Sequence, residues 1–162
     1  MQLPKAYLSE AMLQQSDLTE VDFNAANFVN SNLQGAILDG GNFQRAFFVK
    51  ANLGGVSAVD ADFQQALLQG ANLRAVNFQS SDLRGAIFGG ANLEEADLSN
   101  ADLSGADLRG AYGITPEQLA TAYIDDETQL PEFNASPVYF SGASPMVESP
   151  FPDLPLFVEQ GR

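Results

Sequence analysis

The chain has 162 residues, which is enough for one domain with a hydrophobic core. Its 21 Asp and Glu residues against 7 Lys and Arg residues give a formal net charge of −14, which disfavours direct binding to nucleic-acid phosphates. Cys and His are both absent. Disulfides, zinc sites and most nucleophile–base pairs therefore lack their usual components.

The first residues of the sequence do not have the pattern of a secretory signal. The opening MQLPKAYLSEAMLQQ lacks a charged start followed by an apolar run, and about 18 consecutive apolar residues occur nowhere. We expect a cytoplasmic protein that does not enter a membrane. The mature form of an exported or lumenal protein is the alternative.

A five-residue period runs through residues 1–112. In steps of five from Leu3 to Leu108, every position is Leu or Phe except Ala58. The residue two positions earlier is almost always small. This period fits neither a helix nor a strand, so the chain must turn at a fixed interval. If each pentapeptide forms one side of a coil, the large residues point to a common axis, and coils stacked about 4.8 Å apart bury a continuous core.

This pattern resembles the pentapeptide repeat family. The motif Ala-(Asp/Asn)-Leu-x-x occurs as ANLGG at Ala51, ANLRA at Ala71, ANLEE at Ala91 and ADLSG at Ala101. The resemblance implies an all-β solenoid, a right-handed quadrilateral parallel β-helix in which four pentapeptides complete one coil. It also implies a structural or interaction role of the kind abundant in cyanobacterial members, with no catalytic site and no cofactor.

The side of the coil that begins at Leu3 is predicted to be acidic. The outward position before each central residue is acidic at Asp22, Asp62, Asp82 and Asp102. Carboxylates about 4.8 Å apart repel each other, so we expect an electronegative stripe that Arg45 and Arg84 partly relieve. Asp is simply a common choice at this repeat position, which is the structural interpretation. The functional interpretation is that the stripe imitates DNA phosphates or docks a basic partner.

Two other sides have a distinct character. On the side that begins at Leu13, a stack of Asn residues is predicted to hydrogen-bond along the ladder, which is a structural role. On the side that begins at Leu8, three successive coils place an apolar residue outward, namely Phe47, Leu67 and Ile87. Such an exposed patch needs a cover. Either the C-terminal tail or another protein would provide it.

The repeat stops at Gly113, which occupies a position for Leu or Phe. Thr115 and Gln118 have the spacing of a capping box, with Pro116 suited to the first helical turn. We therefore predict a short C-terminal capping helix within 113–126 that covers the apolar end of the solenoid. The segment 127–162 is rich in Pro and aromatic residues, which predicts an irregular, extended tail. The tail either straps the solenoid wall or is a free peptide that recruits a partner.

These observations favour a non-enzymatic module that binds an unidentified protein partner, with no direct contact to nucleic acid or membrane. Self-association into a homodimer through an uncapped solenoid end is a further expectation. The alternative function is a DNA mimic that binds or protects DNA gyrase through the acidic stripe. A third hypothesis, carboxylate-bound Ca²⁺ or an enzyme, has little support because no ligand loop of suitable spacing occurs.

Overall fold

A computed structural model describes residues 1–133 as a stack of coils. Each outward-facing position pairs in parallel with the residue twenty positions later, from Gln2 with Asp22 to Asn92 with Tyr112. These contacts are single bridges and not extended strands, because only a few residues separate one turn from the next. Four pentapeptides therefore complete each coil, and we number the faces 1 to 4 from the pentapeptides of Leu3, Leu8, Leu13 and Leu18.

A β-turn with an unusual backbone angle ends each side of the coil. Every fifth residue from Lys5 to Gly110 has a positive φ, and 14 of these residues are not glycine. The turn closes with a hydrogen bond such as that from the Ala6 N–H to the Leu3 carbonyl, 3.1 Å. A positive φ at the third residue is a feature of type II turns. The regular return of this turn gives the sequence its period of five.

The Asp or Asn before each central residue has a local structural task. Asp62 Oδ1, for example, accepts the backbone N–H of Gln64 at 3.0 Å, and the same bond recurs wherever Asp or Asn holds this position. Where Ser57 replaces it, Asp39 from the preceding coil substitutes, because its Oδ1 accepts the Ser57 hydroxyl at 2.6 Å and the Val59 N–H at 2.9 Å. The turn therefore selects this residue type, whatever its charge.

The central Leu and Phe residues fill the interior, as predicted. Phe28, Phe63 and Leu93 are 0% exposed. The rings on face 1 form a stack, with centroids 5.8 Å apart between Phe23 and Phe43 and 4.9 Å between Phe43 and Phe63. The first coil of the described chain is different. Its four central residues are only partly buried: Leu3, Leu8, Leu13 and Leu18.

The regular coil ends at Gly113. Its φ is +75°, and a Cβ there would lie 2.8 Å from both Asn92 Oδ1 and the Glu94 backbone nitrogen. Only glycine therefore fits this exit from the solenoid. The sequence shows that the repeat pattern breaks at this position, but it does not show the steric clash that requires glycine there.

The predicted capping box is present, but the helix is shorter than the predicted segment. Helix α1, Pro116–Leu119, is a single turn. The Thr115 N–H donates to Gln118 Oε1 at 2.7 Å, and the Gln118 N–H donates to Thr115 Oγ1 at 3.3 Å. Leu119 is 0% exposed. Within residues 1–133, no helix has the length and apolar character needed to cross a bilayer.

The chain after α1 adds part of another coil. Tyr123 pairs with Asp102 on face 1, and Gln129 pairs with Asp107 on face 2. On the other two faces the Gln118 side chain takes the place of a further coil, because its Nε2 donates to the carbonyls of Leu93 at 3.1 Å and Ala96 at 2.8 Å. Residues 127–133, predicted as tail, thus continue the wall. Residues 134–162, and the strap predicted for them, lie outside the described residues.

Gln118→Glu should destabilise the protein by about 1–3 kcal/mol, because the variant keeps an acceptor for the capping box but removes the two bonds to solenoid carbonyls. Glu117→Gln in the same turn is the control and should change the stability by less than about 0.5 kcal/mol. Urea unfolding measures both. Equal stability of Gln118→Glu and the wild type would show that this side chain does not hold the end of the solenoid.

A reciprocal pair of substitutions tests the turn. Gly55 and Ala75 occupy the same column one coil apart, and a Cβ at Gly55 would meet no atom within 4 Å. Gly55→Ala should therefore lose about 1 kcal/mol through the positive φ alone, and Ala75→Gly should gain a few tenths to about 1 kcal/mol. Gly113→Ala adds a steric clash and should lose more than about 2 kcal/mol. The same loss for both Gly variants in thermal unfolding would refute the clash at Gly113.

Candidate protein-interaction surfaces

The acidic stripe is a single column on face 1. Parallel bridges join Asp22 to Asn42, Asn42 to Asp62, Asp62 to Asp82, and Asp82 to Asp102. All four carboxylates are partly exposed. The uncharged Asn42 separates Asp22 from the three successive acids, so the negative charge is not continuous along the face.

The Arg residues relieve the stripe unequally. Arg84 Nε donates to Asp82 Oδ1 at 2.9 Å and lies 3.8 Å from Asp102 Oδ2. Burial opposes ionisation of Asp82, but the hydrogen bonds and the charge of Arg84 together hold the pKa of Asp82 below its usual value. Arg45 donates instead to the neutral Gln65 Oε1 at 3.1 Å. The predicted relief therefore comes from Arg84.

The remaining acids differ in how many donors they meet. Asp62 Oδ2 accepts from Gln44 Nε2 at 2.6 Å and from Gln64 Nε2 at 3.2 Å. Asp22 Oδ1 accepts the backbone N–H of Asn24 at 3.0 Å, and within residues 1–133 its Oδ2 has no hydrogen-bond partner. The acceptor that is most available to a partner is therefore at the N-terminal end of the stripe.

The predicted apolar residues form a continuous column on face 2. Bridges join Phe47 to Leu67 and Leu67 to Ile87, and Phe47 is 41% exposed. Leu67 and Ile87 are partly buried, as is Val49 beside them. We call Phe47, Leu67 and Ile87 the apolar column. The bridge series continues through Asp107 to Gln129, so the last described residues follow the same face.

A glycine-lined corner adjoins the apolar column. Gly70, Gly90 and Gly110 stack at the turn between faces 2 and 3, and Gly89 precedes Gly90. A Cβ on Gly110 would lie 3.6 Å from the Gly90 nitrogen, and the Lys50 and Gln69 side chains lie 3.5 Å and 3.8 Å from Cβ positions at Gly70 and Gly89. This glycine corner is therefore a trough with backbone at its floor and these two side chains beside it. The twenty-residue spacing of these glycines is the sequence signal for the trough, and our sequence analysis missed it.

A shallow depression forms the C-terminal end of the glycine corner. It has a volume of about 380 Å³ and is lined by Arg109, Gly110, Ala111 and Glu132. Glu132 comes from the partial coil, and Pro131 before it is buried. The described chain therefore ends where the trough begins.

The Asn stack on face 3 hydrogen-bonds along the ladder, as predicted. Asn72 Nδ2 donates to Asn52 Oδ1 at 2.9 Å, and Asn52 Nδ2 donates to Asn32 Oδ1 at 3.3 Å. The side-chain amides of Asn32, Asn52 and Asn72 are therefore linked along this face. Within residues 1–133, no three carboxylates come together as a metal site would require.

Arg84→Gln should raise the pKa of Asp82, because burial then acts without the opposing charge. In the wild type, the ionised form of Asp82 adds stability above the unfolded pKa of about 4, and this contribution is lost as the pH falls through the lower folded pKa. In the variant it should be absent. Carboxyl ¹³C NMR titration measures the change, and Arg74→Gln, on a different face, should leave Asp82 unaffected. An unchanged Asp82 titration in Arg84→Gln would contradict the pairing.

Comparison with known proteins supports the pattern seen in the coils. A sequence profile for pentapeptide repeats matches in 8 copies, over residues 3–40, 16–55, 42–74, 59–88 and 77–112. No match is found among curated proteins.

Three solved structures of pentapeptide repeat proteins are similar to this chain. The pentapeptide repeat protein Rfr23 from the cyanobacterium Cyanothece 51142 is 22% identical, over 80% of this chain and 90% of that chain, with a TM-score of 0.51. A pentapeptide repeat protein from the Arabidopsis thaliana thylakoid lumen is 21% identical, over 66% and 71% of the two chains, with a TM-score of 0.50. HetL from Nostoc sp. strain PCC 7120 is 26% identical, over 80% and 68%, with a TM-score of 0.43.

The first two of these structures share the solenoid fold with this chain, with TM-scores of 0.50 and 0.51, although their sequences are only 21% and 22% identical to it. The matched repeats extend over residues 3–112, and the described coils extend over the same stretch. This chain belongs to the pentapeptide repeat family and has its β-helical solenoid fold.

Proposed function

We propose that the protein is a non-enzymatic module that binds a partner protein on its outer faces. The observation that supports the proposal is the difference in side-chain chemistry between the interior and the exterior of the solenoid. Core side chains from Val21 to Leu108 fill the interior, whereas the polar and charged groups are presented outside in columns about 4.8 Å apart. A wall with regular columns suits recognition of another surface. Within residues 1–133 no ionisable side chain is buried, as acid–base chemistry in a desolvated cleft would require.

The acidic stripe is the surface that we propose for a basic partner. Asp22 has an unused carboxylate oxygen, and the Asp62 carboxylate accepts hydrogen bonds from two neutral amide side chains. An elongated row of like charges steers a basic segment towards it and sets its direction. The overall charge of −14 acts in the same sense.

The DNA-mimic alternative has less support than a general basic partner. Imitation of a phosphate edge needs an unbroken row of charge, but Asn42 interrupts the stripe and Arg84 pairs with Asp82. The turn geometry also accounts for Asp at these positions without a functional reason. A supercoiling assay with purified gyrase decides this alternative, since inhibition or protection at micromolar protein would reinstate it.

The experiment for the proposed function removes charge without altering shape. Asn accepts the same turn hydrogen bond as Asp, so Asp22→Asn with Asp62→Asn keeps the fold and removes two charges from the stripe. Asp17→Asn with Asp97→Asn removes two charges from face 4 and is the matched control. Both double variants should have melting temperatures close to that of the wild type. Affinity capture from native lysate then compares the three proteins.

A specific partner should be retained by the wild type and the face 4 variant and released by the stripe variant, with binding that weakens as salt rises. Equal capture by all three proteins would show that the stripe is not the binding surface. Absence of any protein above background for the wild type would count against the interaction role itself.

A further inference from the structure

We infer that the apolar column and the glycine corner are the docking site for the protein's own segment 134–140, with the sequence NASPVYF. The inference rests on where the described residues end. They end at the opening of the glycine corner, which lies beside the three outward side chains of the apolar column. The segment itself lies outside the described residues.

The first argument is where the described chain ends. Gln129 pairs with Asp107 on face 2, and its carbonyl accepts the Leu108 N–H at 2.8 Å. Glu132 borders the depression formed by Arg109, Gly110 and Ala111. Phe133 packs against the core cluster at this place. The next residue therefore starts at the top of the glycine corner.

The second argument is the shape of the corner. Three coils in succession have glycine at the same turn position, and Gly89 removes a further side chain next to Gly90. A Cβ at Gly90 would have only Gly70 backbone atoms within 4 Å, at 3.9 Å. Gly70, Gly90 and Gly110 are all exposed, so the trough is open to solvent along the corner. A chain that lies in it places side chains on the apolar column of face 2.

The third argument is length. Four coil steps separate Glu132 from the level of Lys50, which is the level of Phe47, and this distance is about 19 Å. An extended or polyproline chain covers about 3.1–3.3 Å per residue, so about six residues reach that level. Val138, Tyr139 and Phe140 are six to eight residues beyond Glu132. Their apolar side chains thus reach the apolar column.

The fourth argument is chemical complementarity. Phe47 is 41% exposed, and Leu67, Ile87 and Val49 each leave part of their surface uncovered. Pro137 favours the extended conformation that the trough requires and gives up no hydrogen bond, since the trough offers no strand ladder to join. The occupant is a segment of the same chain, so the entropy of association is small compared with that of a separate partner.

A disulfide experiment tests the contact in the full chain, which has no natural Cys. Leu67→Cys with Ser136→Cys should form an intramolecular disulfide under mild oxidation, because the level of Leu67 is three coil steps, about 14 Å, from Glu132. Asn77→Cys with Ser136→Cys is the control, because Asn77 has the same coil level and repeat position but lies on face 4. Peptide mapping identifies the bond, and dilution distinguishes intramolecular from intermolecular products.

The inference requires a disulfide in the Leu67 pair that does not depend on concentration, together with little in the Asn77 pair. Equal cross-linking in both pairs would mean that the segment samples all faces. Cross-linking only between molecules would place a second copy in the trough. No cross-linking in either pair would leave the trough without this occupant. Each of these three results overturns the inference.

A second measurement keeps the native tail. Chymotrypsin cleaves after Tyr139 and Phe140, and docking should protect both bonds. Phe47→Asp should raise the rate of cleavage there on the order of tenfold, because it removes an apolar contact and adds a buried charge. Ile37→Asp is the matched control, since Ile37 is also 41% exposed but lies on face 4. The same cleavage rate in both variants would overturn the inference.

Discussion

The whole structure depends on a turn with positive φ that recurs every five residues. It fixes the length of each side, and therefore the level at which the chain returns after four sides. Only with this constant return does the N–H of Phe43 meet the carbonyl of Asp62 at 2.7 Å, and the same contact repeat at Phe63 and Asp82. A side of any other length would shift every later pair. Fourteen of the turn residues with positive φ are not glycine. The contacts made in this register therefore offset a local strain of the order of 1 kcal/mol at each of these positions.

The turn also determines which side chains become available for function. The residue before each central Leu or Phe lends one oxygen to the turn, as Asp22 does to the Asn24 N–H, so the fold demands Asp or Asn there. The choice between the two sets the charge. Face 3 took Asn, and its amides bond to one another, as in Asn72 to Asn52. Face 1 took Asp, whose second oxygen cannot be satisfied by an identical neighbour. The same structural rule therefore produces a self-contained face and a face with unused acceptors.

The solenoid interior was predictable from sequence because one rule acts on every residue of the repeat. The buried positions of Phe28 and Leu93 follow from counting in fives, and so do the outward columns that contain Asp62 and Leu67. The pairing of Arg45 with Gln65 could not be predicted, since a long side chain chooses among several partners within reach. The C-terminal end was only partly predictable. The capping box is a local pattern, whereas the bonds from Gln118 to Leu93 and Ala96 join residues more than twenty positions apart and follow no repeat.

The two ends of the described solenoid differ in how far their apolar side chains are covered. At the C-terminal end, Gln118 supplies N–H donors, Leu119 covers apolar surface, and the partial coil pairs with faces 1 and 2. At the N-terminal end, Leu8 and Leu13 remain partly exposed, and Tyr7 and Met12 are 85% and 71% exposed. A stack of coils is stabilised by nearest-neighbour contacts. The last coil is held in addition by contacts that the repeat itself does not contain, namely those of Gln118.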